Sequence, residues 1–440
     1  MFKHLFKFGM LLAVVSLLAA CTITFTPPYP LSDLAANHLL AIAVDSQGSK
    51  HIVGEDPNTG QLVYLLTRLG PVEEKVPIRL ITDWWPTAPD IGVLDDGTVI
   101  IGWYEKNDTG ASPKYRFCLM IYPSMIGVVC SADFSDSPPN SFTPVVQITT
   151  RGSIAYIIYS KQEGTQYTLL YEKIADVITS GKVNWSVSDP MVRTVNSVVD
   201  SAGYLHVVWY AKNDGSSGRV LYASNRTTDA SGNMTQNRIL LIADSDPVNP
   251  PAIAAYSTAG GERVAFAYVK DNSGSDDEIY HQNIKVDNTD WSGEQKLNLT
   301  GGAYRLMDVH LVGVNNAYLI GFLRNNTIST TSEVWLRDAM SVITQITSNT
   351  YAERELEMVP AGGAFVMAYK SVQSGGPREV YIYDPLNGER SVYSELCASD
   401  NLGGEMAVSG DVVAGVWAQC DRAWFSTNAE LVYLPLVKKE

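Results

Sequence analysis

A bulky side chain closes a short apolar run seven times along this chain, at Trp103, Tyr159, Trp209, Tyr268, Phe322, Tyr369 and Trp417. The spacing is about fifty residues, a period that belongs to repeat architectures. The unit is clearest at residues 198–209, VVDSAGYLHVVW: an apolar run, a turn holding Asp200 and Gly203, and a second apolar run. It reads as a β-hairpin whose glycine supplies a positive φ. An eighth unit lies upstream, where His51-Ile52-Val53-Gly54 takes the same place without the aromatic.

A third run follows in each unit, centred on Tyr64, Phe117, Leu170, Tyr222, Tyr280, Trp335, Tyr381 and Trp424. A fourth is readable at 76–82, 239–243, 342–347 and 431–437. Four short strands per period predict an all-β fold of propeller blades. Eight four-stranded blades are expected, with seven and an irregular first unit as the alternative. Helical periodicity is confined to one turn at 174–178. One blade has two apolar faces, and stacking buries each against a neighbour. The recurring aromatics are therefore packing residues between blades. The last unit reads as complete in itself, ending at Val437, so no N-terminal strand is expected to finish it. Residues 23–26 alternate but lie close to the N-terminus.

The first 21 residues lie outside this pattern. Lys3, His4 and Lys7 precede a short apolar core, Gly9 to Leu18, too short to span a membrane. Leu18-Ala19-Ala20-Cys21 resembles the lipobox of bacterial lipoproteins, which implies cleavage before Cys21 and a lipid on its thiol. An ordinary secretory signal is the alternative, and both lead out of the cytoplasm. The expected organisation is a signal peptide at 1–21, a linker at 22–37 and a single propeller domain at 38–437. The formal charge is −15, and loss of Lys3 and Lys7 makes it more negative. That charge argues against nucleic acid as a partner. Membrane contact is expected through the lipid. Four cysteines remain after Cys21. Cys118 and Cys130 flank a turn and are expected to pair across a hairpin, leaving Cys397 for Cys420. Four free buried thiols are the alternative.

The turns Asp45-Ser46-Gln47-Gly48, Asp95-Asp96-Gly97 and Asp200-Ser201-Ala202-Gly203 resemble those of sialidase-like propellers of bacterial surface proteins. So does the run His206-Val207-Val208-Trp209. That family's Asp-box lies between third and fourth strands, with a Ser or Thr two before the Asp and a Trp soon after the Gly. Here the turns fall between first and second strands. The resemblance implies, for an enzyme, three arginines gripping a carboxylate, a tyrosine activated by a glutamate, and an acid. Arg193, Arg305, Arg354, Tyr304, Glu353 and Asp90 stand in comparable entry segments, although no Arg-Ile-Pro motif precedes the first blade.

Other candidates come from residue chemistry. Trp84 and Trp85, before Pro86, offer flat faces to a sugar or a peptide. The acidic loop from Asp271 to Glu278 is rich in oxygen ligands for Ca2+ but lacks EF-hand spacing. Lys106, Lys161, Lys212, Lys270 and Arg324 follow the recurring aromatics and form a candidate cationic arc for an anionic glycan. His51 and His206 hold matching places, as a structural slot would. No His-x-x-x-His or Cys-x-x-Cys pair supports a transition metal, and no phosphate loop or Gly-x-Ser-x-Gly elbow is present. The sequon Asn184-Trp185-Ser186 is expected to be idle in a bacterial lipoprotein. The leading expectation is a surface-anchored, non-catalytic binding or scaffold module for an extracellular glycan, peptide or protein. The alternatives are a sialidase-like glycoside hydrolase or polysaccharide lyase, or a subunit of an envelope assembly machine.

Overall fold

The computed structural model describes residues 29–428, except 32, 36–38, 69–71, 79–82, 124–126, 137–141, 164–165, 176, 184–191, 213–217, 244–249, 271–276, 288, 300–303, 315, 327–330, 350, 362–363, 373–377, 396–403, 410–411 and 420–421. The expected signal peptide, Cys21, Cys397, Cys420, the sequon at 184–186 and the strand at 431–437 all lie outside the described residues. Every regular element among the described residues is a strand.

The chain forms successive antiparallel sheets, each laid down in chain order. The 41–77 sheet runs Ala41–Val44, Lys50–Glu55, Leu62–Thr67, Glu74–Pro77. Later sheets begin at Trp85–Val93, Val146–Arg151, Val192–Val199, Ala252–Thr258, Tyr304–Val314, Ala352–Ala361 and Gly404–Ser409. A single parallel pair, Ser332 with Ala352, joins the 304–345 sheet to the 352–395 sheet. First strands pack side by side in chain order, and Gly404–Ser409 packs in turn beside Ala41–Val44.

The last sheet differs from expectation. Its fourth position is filled by Tyr29–Leu31, antiparallel to Arg422–Thr427, with Leu31 opposite Ala423. Residues placed in a linker by sequence are thus a strand. Leu31 is buried with Ile42, Val63, Ala414, Val416 and Ala423, so the first and last sheets share one core.

Both faces of the middle strands are buried, which is why their sequences are nearly continuous apolar runs. In Leu205–Ala211, Leu205, Val207 and Trp209 pack on Tyr156 and Tyr171 of the sheet before. Val208 and Tyr210 face Val264 and Phe266 of the sheet after. The recurring aromatics Trp103, Trp209, Tyr268, Phe322, Tyr369 and Trp417 are buried as read. Tyr159 is half-buried and stacks on Phe117 at 4.1 Å.

The hairpin turns have a common chemistry. Asp200 Oδ1 accepts from the amides of Ala202 and Tyr204, and Asp45 Oδ1 accepts from those of Gln47 and Ser49. The other oxygen of each lies near a histidine, Asp200 Oδ2 to His206 Nε2 at 3.2 Å and Asp45 Oδ2 to His51 Nε2 at 3.3 Å. Each Nδ1 meets a third-strand tyrosine hydroxyl at 2.8 Å, Tyr222 for His206 and Tyr64 for His51. The histidine slot is therefore an Asp–His–Tyr staple that ties the turn to the second and third strands. The same carboxylate-to-amide turn recurs between third and fourth strands at Asp229, Asp338 and Asp384, where the sequence reading had not placed it.

Candidate functional site

The expected disulfide between Cys118 and Cys130 is formed. Among the described residues, Glu105, Cys118 and Cys130 are the one group of three or more His, Cys, Asp or Glu whose metal-ligand atoms lie within 4.8 Å of one another. Both sulfurs are committed to the disulfide, and Glu105 Oε2 is held by Arg116 Nε at 2.7 Å and Nη2 at 2.6 Å. Most of the acidic loop read as a Ca2+ candidate lies outside the described residues. Asp277 at its end is buried and accepts from the Leu306 amide at 2.9 Å.

The two tryptophans part company. Trp84 is half-buried beneath the Arg116 guanidinium, 3.9 Å from its ring centre. Trp85 is 56% exposed. Its ring edge rests on the turn at Gly60, where φ is +67° and a Cβ would come within 3.1 Å of Cζ3, so this seat requires glycine. Trp85 starts a first strand opposite Lys106, at the end where Arg305 and Arg354 also enter their own first strands. Both arginines are exposed. Arg193 is half-buried and donates to Thr143 Oγ1 at 3.1 Å. The three arginines stem from three sheets, and the 252–296 sheet separates Arg193 from Arg305. Tyr304 heads the Arg305 strand, and its side chain lies outside the described residues. Glu353 is fully buried, accepts from Asn349 Nδ2 at 2.7 Å, and is pushed up to about 7 by burial.

Two members of the candidate arc of cations have partners within the protein. Lys106 pairs with Asp108 at 3.0 Å, and the Arg324 guanidinium lies 5.1 Å above the Trp335 ring. Lys161, Lys212 and Lys270 are half-buried.

Sequence reasoning missed a group of acids on the first strands, of which it had named only Asp90. Three of those strands carry bulges, with register shifts between Thr87 and Asp90, Met307 and Val309, and Arg354 and Glu357. At the bulges Ala88, Asp308 and Glu355 take φ of +47°, +46° and +51°. That backbone costs an L-residue roughly 1–2 kcal/mol and redirects the side chains around it. Asp90 Oδ1 accepts from its neighbour Ile91 N at 2.8 Å, and Oδ2 from Ile148 N of the next first strand at 2.5 Å. Glu405 Oε2 accepts from Ile42 N at 2.8 Å, across the contact between last and first sheets. These carboxylates thus satisfy amides on strand edges that no other strand covers.

Packed this way, four of the acids are shifted toward the protonated form. Burial drives Asp90 up to about 7 and raises Asp308. Burial, then the charges of Asp308 and Glu355, lifts Glu357 to about 8. Burial, with Asp90 and Glu357 nearby, lifts Glu405 well above the usual carboxylate range. Two bases stand among them. Lys370 Nζ meets Glu355 Oε2 at 2.7 Å, and His310 Nδ1 lies 3.8 Å from Glu357 Oε2 and is lowered to about 4 by burial. Glu357 still exposes 34% of its side chain, so the group borders open space. Acids poised near neutrality are suited to proton exchange and to binding cations.

No family model matches the chain, and no curated protein matches it. Among solved structures it is similar to a prolyl endopeptidase, at 11% identity and a TM-score of 0.50, over 88% of this chain and 55% of that one. The fold is propeller-like. Weaker likenesses reach prolyl oligopeptidase B from Galerina marginata, at 10% identity and a TM-score of 0.49 over 89% of this chain and 55% of that one, and the Aleuria aurantia lectin, at 9% and 0.34 over 70% and 94%. The chain therefore spans a little over half the length of the prolyl peptidases it matches.

Proposed function

We propose that the chain is an eight-bladed β-propeller closed by Tyr29–Leu31, anchored outside the cytoplasm by a lipid on Cys21. On this reading it is a non-catalytic module that binds an extracellular glycan, peptide or protein at the rim where first strands begin. The observation that supports the rim is Trp85: a large aromatic, 56% exposed, on a rigid strand and seated on the Gly60 turn. Exposed aromatics on rigid scaffolds are favoured anchors for sugars and peptides. Exposed Arg305 and Arg354 at the same end add anion-pairing groups. A sialidase-like hydrolase would need Arg193 to join those two in one pocket, and its tie to Thr143 and the intervening sheet weigh against that.

The test is a glycan and peptide array probed with the secreted chain, followed by Trp85→Ala. The variant is expected to lose about tenfold or more in affinity for any ligand the array reveals, as anchor aromatics do. Equal binding by wild type and variant would remove Trp85 from the site.

A further inference from the structure

We propose that the end of the sheets opposite Trp85 is a membrane-docking face, which lays exposed apolar turn residues on a zwitterionic lipid surface. This names a partner for the proposed lipoprotein and rests on its anchor at Cys21.

The sheets run up and down in chain order, so first-to-second and third-to-fourth turns share one end. Contacts join these turns from sheet to sheet. Asp95 N donates to Gly152 O at 3.0 Å, Ser201 N donates to Glu262 Oε2 at 2.7 Å, and Gly48 lies against Val412. Among the described residues, eight large apolar or aromatic side chains are exposed. Their placement is the observation, not their number, since single exposed hydrophobics are ordinary. Trp85 stands at one end and Val129 on an outer strand. The other six belong to the opposite turns: Val177 and Ile178, Tyr204, Met340 and Val342, and Leu386.

The turns fold their carboxylates back onto the backbone. Asp338 Oδ1 accepts from the amides of Met340 and Val342 at 2.9 and 2.8 Å, and Asp384 Oδ1 accepts from that of Leu386 at 3.0 Å. Met340 is left 81% exposed. The apolar tips come from four sheets. A bound peptide would reach one or two of them, whereas a flat surface as wide as the molecule reaches them all.

The N-terminal strand says which surface. Tyr29 lies opposite Phe425, toward the turn end, and Leu31 lies opposite Ala423, away from it. The residues before Tyr29 therefore join the fold at the apolar end. Cys21 stands eight residues before Tyr29, a reach of at most about 29 Å at roughly 3.6 Å per residue. The sheets stand about 30 Å tall, at about 3.3 Å per residue over Trp85–Val93. A lipid on Cys21 thus holds the turn end to the bilayer and keeps the Trp85 rim turned outward. Charge selects the headgroup: with a formal charge of −15, the chain is repelled by an anionic surface.

The experiment replaces Cys397 and Cys420 of the full chain by serine and couples the Cys21 thiol to a maleimide phospholipid in phosphatidylcholine vesicles. Hydroxyl-radical oxidation, read by mass spectrometry, compares the coupled with the free chain. Met340 and Leu386 are expected to be oxidised about fivefold less on the vesicles, as groups sunk into the interface are, with Trp85 unchanged. Val177→Asp, Ile178→Asp and Leu386→Asp, combined at exposed positions and shown to melt as the parent does, are expected to restore most of the oxidation of Met340. Protection of Trp85 in place of Met340, equal protection of both, protection of neither, or full protection of Met340 in the triple variant overturns the proposal. So does protection in the free chain that grows with protein concentration, which assigns the face to a second copy. The coupling is chemical, so these results hold whether or not cells lipidate the chain. Mass spectrometry of Cys21 in the chain extracted from membranes tests the anchor separately.

Discussion

Leu31→Asp is expected to cost the fold roughly 5 kcal/mol or more, the order of the whole stability of a typical domain. Leu31 is 1% exposed and sits in the core shared by the first and last sheets. Its strand has only three residues, so little else holds Tyr29–Leu31 against Arg422–Thr427. Aspartate there removes an apolar side chain and buries a carboxylate with no cationic partner. Leu31→Ala is the graded version and is expected to cost about 2–5 kcal/mol from lost burial and the space left behind. Both are read from the denaturant midpoint. A midpoint unchanged in both variants would mean that the strand contributes nothing to the stability of the sheets it touches.

Asp200→Ala is expected to cost about 3–5 kcal/mol, the range for breaking a buried charged network. The carboxylate is fully buried and serves four partners: the amides of Ala202 and Tyr204, His206 Nε2, and Arg226 Nε at 3.2 Å. Asp229 makes the same turn contacts to Ser231 and Asn233 but is exposed and has no histidine, so Asp229→Ala is expected to lose much less. The contrast also has a pH signature. Burial alone would raise Asp200, but bonds from His206 and the Tyr204 amide, with Arg226 nearby, bring it down to about 2 from 3.8. A carboxylate lowered in the folded state stabilises above its unfolded value and loses that contribution as pH falls through the folded one. The wild type is therefore expected to lose stability between about pH 4 and pH 2 more steeply than Asp200→Ala. Parallel acid profiles for the two would contradict this role.

Much of the fold is visible in the sequence because the period of the apolar runs is the period of the sheets. The aromatics at Trp103, Trp209 and Tyr369 mark where neighbouring sheets meet, and Asp200 with Gly203 marks the turn between strands. His51 and His206 could be paired by position alone. Tyr29–Leu31 could not be read, because three residues flanked by Pro28 and containing Pro30 show no alternation. That strand exists through its partner, not through its own propensity. Asp338 was hidden for a different reason: no glycine follows it, and Ser341 takes the φ of +66° instead. The group of Asp90, Asp308, Glu357 and Glu405 was invisible because its members come from four strands far apart in the chain. Bulges at non-glycine residues give no local signal that would aim them together.

The closed ring is the claim on which the rim depends. Leu31→Cys and Ala423→Cys, combined in a chain whose Cys21, Cys397 and Cys420 are replaced by serine, place two thiols directly opposite each other. Mild oxidation and peptide mapping of the monomer then report whether the two ends of the chain meet. A 31–423 disulfide within one molecule is the predicted result. Two free thiols, or a link found only between molecules, would contradict it.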